Sequence, residues 1–131
     1  MSQASRIDRE LTKFIEGLVV KVVQNVELEL EARTPKLTTF ASKNWVPQVG
    51  SSFEGLSGVR SLSAPINTSL RDAGRASLLN YKLSKGNVYI TNNVPYIVLL
   101  NAGTVSRKAP ANFVQKAIAT GIATAINEYT I

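Results

Sequence analysis

The chain predicts an α+β fold: a small antiparallel sheet packed by a long N-terminal helix, a middle helix and a C-terminal helix. Apolar residues recur at helical spacing near both ends, at Ile7, Leu11, Phe14, Leu18, Val22 and Val26 and again at Val114, Ile118, Ile122 and Ile126. Between them lie two short runs, "NWVPQV" and "NVYIT", rich in β-branched and aromatic residues and flanked by turn formers. No period of roughly 20 to 50 residues recurs, which excludes a solenoid. At 131 residues the chain is expected to form one domain, 1–131, around one core.

The first helix is expected over residues 5–33, with its apolar stripe facing a core. Ser5 followed by Asp8 suits a capping box, and Thr34-Pro35 supplies the stop, because a residue before proline is pushed out of the helical region. Within it "VELELEA" alternates with the period of a strand, yet no turn signal separates it from the preceding stripe, so it stays helical. From Lys36 to Asn67 the composition shifts to Ser, Gly, Thr and Pro, and "NWVPQVGSS" is the compact strand there. Pro47 has no amide for a central ladder, which places this strand at an edge or gives it a bulge. Residues 50–67, with Gly50, Gly55, Gly58 and Pro65, read as a long loop that orders against a neighbour.

Asn67 or Thr68 caps a second helix expected to reach about Leu83, with a small-residue face of Leu70, Ala73, Gly74, Ser77, Leu78 and Tyr81. Gly86 ends that unit, and "NVYIT" is the next strand, leading into the Asn92-Asn93 turn. "YIVLLNAG" fits a strand or a short helix closed by Gly103, and periodicity does not choose between them. Pro110 suits the first turn of the last helix, where Phe113, Ala117, Gly121 and Ala125 make a smooth face for close packing.

Composition narrows the function. There are no cysteines and no histidines, which removes disulfides, thiol nucleophiles, the commonest general base and zinc sites. Seven of the nine acids fall in residues 1–55, where they read as the solvated side of a helix rather than a converging catalytic or metal-binding set. No apolar run approaches the roughly 18 residues of a membrane span. Charged residues from Arg6 to Glu10 stand where a signal peptide would begin its apolar stretch, so a soluble, cytoplasmically made protein is expected. Charge is also unevenly placed: residues 1–55 hold seven bases and seven acids, and residues 56–131 hold eight bases and two acids, so the whole excess of +6 lies in the second part. Such asymmetry points to an anionic partner or to a solvated basic face.

Two stretches carry more than composition. In "TTFASKNWVPQVGSS" a small-residue run leads into Asn44-Trp45. In "VYITNNVPYIVLLNAGTVSRKAPANFVQKAI" a strand leads into Asn92-Asn93-x-Pro95-Tyr96, then Leu100-x-x-Gly103, then Ala109-Pro110 and a helix. In order and spacing these resemble the neck and tail-completion proteins of tailed bacteriophages, the group that includes the Z-type minor tail proteins of lambdoid phages. The resemblance covers most of the chain outside residues 53–67. Two positions depart from that pattern: Leu37-Thr38-Thr39-Phe40 stands where relatives often have an Asp-Thr-Gly turn, and Asn101 where they commonly have a glutamate.

The resemblance implies a structural virion protein without enzymatic activity or cofactor. It would form a homo-oligomeric ring, a hexamer foremost with a dodecamer as the alternative, at the head–tail junction. Its partners would be a portal, adaptor or head-closure ring on one side and tail terminator or tail tube proteins on the other, with DNA passing through the lumen and no membrane contact. The host cytoplasm would be its place during assembly. Candidate interface residues are Trp45, Asn92, Asn93, Tyr96, Asn101, Gly103, Arg107 and Lys108. Asparagines let "TNNVP" turn sharply and deliver Tyr96 to a packed position, Trp45 fits core or interface, and Arg107 and Lys108 would meet an acidic neighbour or DNA.

Two rival functions remain open on sequence alone. A small nucleic-acid-binding protein fits the basic pI of about 9.8, although the aromatics do not interleave with the bases as a stacking platform requires. Catalysis through Ser106 and Lys108 is formally possible, but that spacing is common by chance.

Overall fold

Helix α1 (Gln3–Arg33) is long because nothing in "IDRELTKFIEGLVVKVVQNVELELEA" breaks a helix apart from Gly17; at ~1.5 Å per residue it extends about 46 Å. It ends where proline dictates. The Thr34 amide still reaches the Leu30 carbonyl at 3.0 Å, and Pro35 has no amide to continue. The helix already includes Gln3, so Ser5 lies inside it and is not its cap. The alternation in "VELELEA" is absorbed by the helix: Val26 and Leu30 enter the core, Glu27 is buried on another side, and Leu28 faces solvent.

The computed structural model describes residues 3–35, 40–54, 68–103 and 111–129. A 3-10 turn (Ser42–Asn44) follows α1 and leads into strand β1 (Val46–Val49). Helix α2 (Ser69–Leu78), a second 3-10 turn (Leu83–Lys85), strand β2 (Val88–Thr91), helix α3 (Ile97–Ala102) and helix α4 (Phe113–Glu128) complete the order. The strands pair antiparallel, Val46 opposite Thr91 and Val49 opposite Val88. With two strands among the described residues, both are edges. That accommodates Pro47, whose carbonyl side is covered by α2 at Gly74. The helix-rich α+β architecture expected from the sequence is present, with α1 packed against both α4 and the sheet.

Helices α1 and α4 run antiparallel, as the pairings Arg33 with Thr120, Val26 with Gly121 and Lys21 with Glu128 require. The close approach depends on Gly121. A Cβ there would sit 2.6 Å from the Val26 Cα, which no side-chain adjustment can relieve. Phe113, Ala117, Gly121 and Ala125 are buried in this seam, and Val26, Leu30, Phe40, Trp45, Val94 and Leu100 complete the main core around Phe113 and Ala117. A smaller cluster of Val23, Leu78 and Tyr81 joins α1 to α2 beneath Val49 and Val88.

Three expectations need correction and one open choice is settled. Helix α2 stops at Leu78 and not near Leu83, because Leu78 and Tyr81 turn inward onto Val23 and the Leu83 amide donates to Glu16 Oε2 at 2.7 Å. "YIVLLNAG" settles as helix, with Gly103 closing it at φ 76°. Helix α4 begins at Phe113, and Pro110 lies outside the described residues. The start is set instead by Asn112 (φ 64°), whose amide donates to the Asn101 carbonyl at 2.7 Å. Finally, the first stripe meets the core only in part: Phe14, Leu18 and Val22 are half-buried and Val26 is buried, but Ile7 and Leu11 remain 57% and 54% exposed. Their turns lie past the end of α4, where nothing covers them among the described residues.

Candidate assembly surface

The corner carrying the Asn-Asn-x-Pro-Tyr motif is built by its own side chains. Asn92 Oδ1 accepts the Val94 amide at 3.0 Å, an Asx turn that reverses the chain after β2, while its Nδ2 donates to the Ala41 carbonyl at 2.8 Å. Asn93 Nδ2 donates to the Phe53 carbonyl at 2.8 Å. The two asparagines thus tie one corner to two different segments. Beyond Pro95, Tyr96 is half-buried against the main core and stands just before α3. Helix α3 buries Leu100 and leaves Val98 and Leu99 at 74% and 52% exposure.

Asn101 does more than its sequence context suggests. Its Oδ1 accepts the Val114 amide at 2.9 Å, and its Nδ2 donates to Gln115 Oε1 at 3.0 Å. It therefore supplies, from α3, an acceptor for the otherwise unsatisfied first turn of α4. Trp45, offered as an interface residue, is in the core: the indole is 6% exposed and its Nε1 donates to Thr34 Oγ1 at 2.8 Å. Its rigid ring fills the space where α1 ends, so it presents no surface to a partner. Gly103 is a turn residue with positive φ, as expected. Arg107 and Lys108, like Ser106, lie outside the described residues.

Two of the eight bases behind the charge asymmetry, Arg71 and Arg75, are used inside the fold. Arg75 grips Glu27 with two bonds, Nε to Oε2 at 2.9 Å and Nη2 to Oε1 at 2.7 Å, and also reaches Glu31 Oε2 at 2.6 Å. Arg71 Nη1 bonds Glu31 Oε1 at 3.0 Å, and Arg71 also meets Asp72 at 3.2 Å. Glu27 and Glu31, expected on the wet side of α1, are the counter-charges of α2, while Asp8 and Glu10 are exposed as expected. Burial pushes the Glu27 carboxyl above its usual value, an effect that the Arg75 bonds only partly offset. For Arg75 burial opposes the charge, and the bonds to Glu27 and Glu31 outweigh it, so its affinity for the proton rises. The partners respond differently because the Glu27 side chain is 4% exposed and that of Arg75 is 33%. Asp72, in the first turn of α2, is held below the usual carboxylate range by the Thr68 hydroxyl and by Arg71.

A cleft of about 250 Å³ opens beside this network, between α1 and the α2–β1 unit. Its two most central charges, Glu27 and Arg75, are already bonded to each other. Among the described residues no group of three acids, histidines or cysteines converges on a point, and no helix is long and apolar enough to cross a membrane. What the described surface does offer is exposed aliphatic side chains in rows. Ile118, Ile122 and Ile126 line α4 at 42%, 38% and 59% exposure, and Ile7, Leu11 and Ile15 line α1. Of these, Ile7 and Leu11 belong to the stripe expected to face a core, since periodicity reveals an apolar stripe but not whether its neighbour is long enough to cover it.

Compared with known protein families, characterised proteins and solved structures, the chain matches none of them.

Proposed function

We propose that this chain is a non-enzymatic structural subunit of a homo-oligomeric ring at the phage head–tail junction, a hexamer foremost. In the virion it joins a portal-side connector ring to tail terminator or tail tube proteins. The observation that carries the reading is the Asn92–Gly103 segment. Its motif order is the one that resembles neck proteins, and its asparagines spend their hydrogen bonds on pinning segments together, which suits placement rather than chemistry. The exposed aliphatic rows supply the apolar anchors a subunit interface needs. Electron microscopy of the purified protein, with and without portal complexes, tests the proposal: closed rings that dock onto portals are expected, and a protein that stays monomeric and ignores portals ends it.

The alternative, a small basic nucleic-acid-binding protein, is weakened by the internal use of Arg71 and Arg75, which removes two bases from any phosphate-binding surface. A filter-binding titration against salt separates the two readings. Phosphate neutralisation makes affinity fall steeply as salt rises, whereas the ring subunit binds free nucleic acid weakly at any salt.

A further inference from the structure

The N-terminal eleven described residues of α1, Gln3–Lys13, are exposed throughout and project about 16 Å beyond the point where α4 ends. That point is marked by Tyr129, whose hydroxyl donates to the Phe14 carbonyl at 2.8 Å and whose ring lies 4.9 Å from that of Phe14. Ile7 and Leu11 stand four residues apart on the stripe that continues as Leu18, Val22 and Val26, the stripe α4 covers further along. The projecting segment thus carries a seam made for a helix, and no helix among the described residues covers it.

The same chain carries a matching surface. Ile118, Ile122 and Ile126 form a second ridge at the same four-residue spacing, about 12 Å from end to end, next to the face that α4 buries against its own α1. Between Phe113 and Asn127 the only charged residue of α4 is Lys116, and such depletion of charge marks the centre of protein interfaces. The polarity of the ends fixes an orientation. Arg6 adjoins Ile7 in a segment, Gln3–Lys13, of three bases and two acids, while the far end of α4 offers the negative pole of its helix dipole and Glu128, whose side chain is still 49% exposed beside Lys21.

We infer that the projecting segment of α1 docks antiparallel onto the outer ridge of α4 in a second copy of this chain, with Ile7 near Ile126, Leu11 near Ile122 and Ile15 near Ile118. Ridges of equal spacing interlock, and Arg6 falls beside Glu128. Because donor and acceptor are different surfaces of one chain, the contact can repeat head-to-tail, each subunit giving one segment to one neighbour and receiving one from the other, as a closed ring requires. This rests on the proposal that the chain assembles with itself, and it names the surfaces through which it does so.

The chain has no cysteine, so L11C and I122C each provide the sole thiol of their variant. Full-length L11C and I122C, carrying different tags and confirmed folded by circular dichroism, are mixed and oxidised. The expected product is a disulfide-linked pair holding one copy of each, formed at least about tenfold faster than either self-linked pair or the pair from I122C mixed with L28C on another side of α1. Prevalent self-linking of I122C would show a symmetric α4 contact and overturn the inference, as would equal yields with L28C. A paired I7E/L11E variant is expected to abolish rings while remaining folded. Should wild-type rings form and dock onto portals but I7E/L11E rings form equally well, this contact is wrong and the ring proposal stands. A wild type that is monomeric and blind to portals overturns both.

Discussion

Helix α1 has two seams of opposite chemistry. Toward α4 the contact is dry and close, built on Ala117, Gly121 and Ala125 against Val26 and its neighbours. Toward α2 the charged side chains of Glu27 and Glu31 reach across to Arg71 and Arg75, with only Val23, Leu78 and Tyr81 beneath them. The first seam gains stability from area and shape and allows almost no variation in volume. The second gains little net energy, because removing Glu27 from water nearly offsets its attraction to Arg75, but it fixes the rotation and register of α2 on α1. One helix thus holds one partner by fit and the other by address.

The sharpest way to break this contrast is Gly121→Leu. Because the clash is with the Val26 backbone, a loss of about 3 kcal/mol or more is expected, read as a lower urea midpoint, whereas leucine in place of the exposed Ala123 should have little effect. Next comes Arg75→Ala, which leaves Glu27 buried without its main counter-charge. We expect a loss of about 2 kcal/mol, moderated because the arginine is one-third exposed. Replacing the pair together, Glu27→Leu with Arg75→Met, should bring stability back to within about 1 kcal/mol of wild type. If the double variant is no more stable than Arg75→Ala, the second seam contributes energy and not only register. A smaller effect, about 1 kcal/mol, is expected from Asn101→Ala, which strips an acceptor from the first turn of α4, and hydrogen exchange at Val114 should quicken in that variant.

The smallest effect is in pH. Glu27 binds its proton more tightly when folded than its ordinary value of 4.5, so its contribution to stability is fully present below that value and declines as pH rises through the raised one. Asp72 acts in the opposite sense: its contribution is present above 3.8 and lost as pH falls through its lowered value. Urea midpoints measured across this range should show the first decline in wild type and lose it in Glu27→Gln.

Fold class, element order and the packed role of the Asn-Asn turn were legible in the sequence because each rests on local chemistry: proline at the end of α1, β-branched runs in both strands, glycine after α3. The lengths of α2 and of the covered part of α1 were not, since both depend on what packs nearby. Tyr81 turns inward and stops α2, and α4 is too short to cover Ile7 and Leu11. The site was less legible still. Trp45 fitted core or interface and is core, and Glu27 and Glu31 read as solvated when their partners lie 40 to 48 residues ahead. The signal that pointed to them was the bases Arg71 and Arg75, four residues apart on α2 as Glu27 and Glu31 are on α1.

The lone indole, held by Thr34 at the C-terminal end of α1, also has a practical consequence. Its fluorescence should shift to the red when the domain unfolds and the ring meets water. The other end of the same rod lies about 46 Å away. A dye placed there would report neighbours arriving without disturbing the natural emitter, so melting and association could be followed in two colours within a single cuvette.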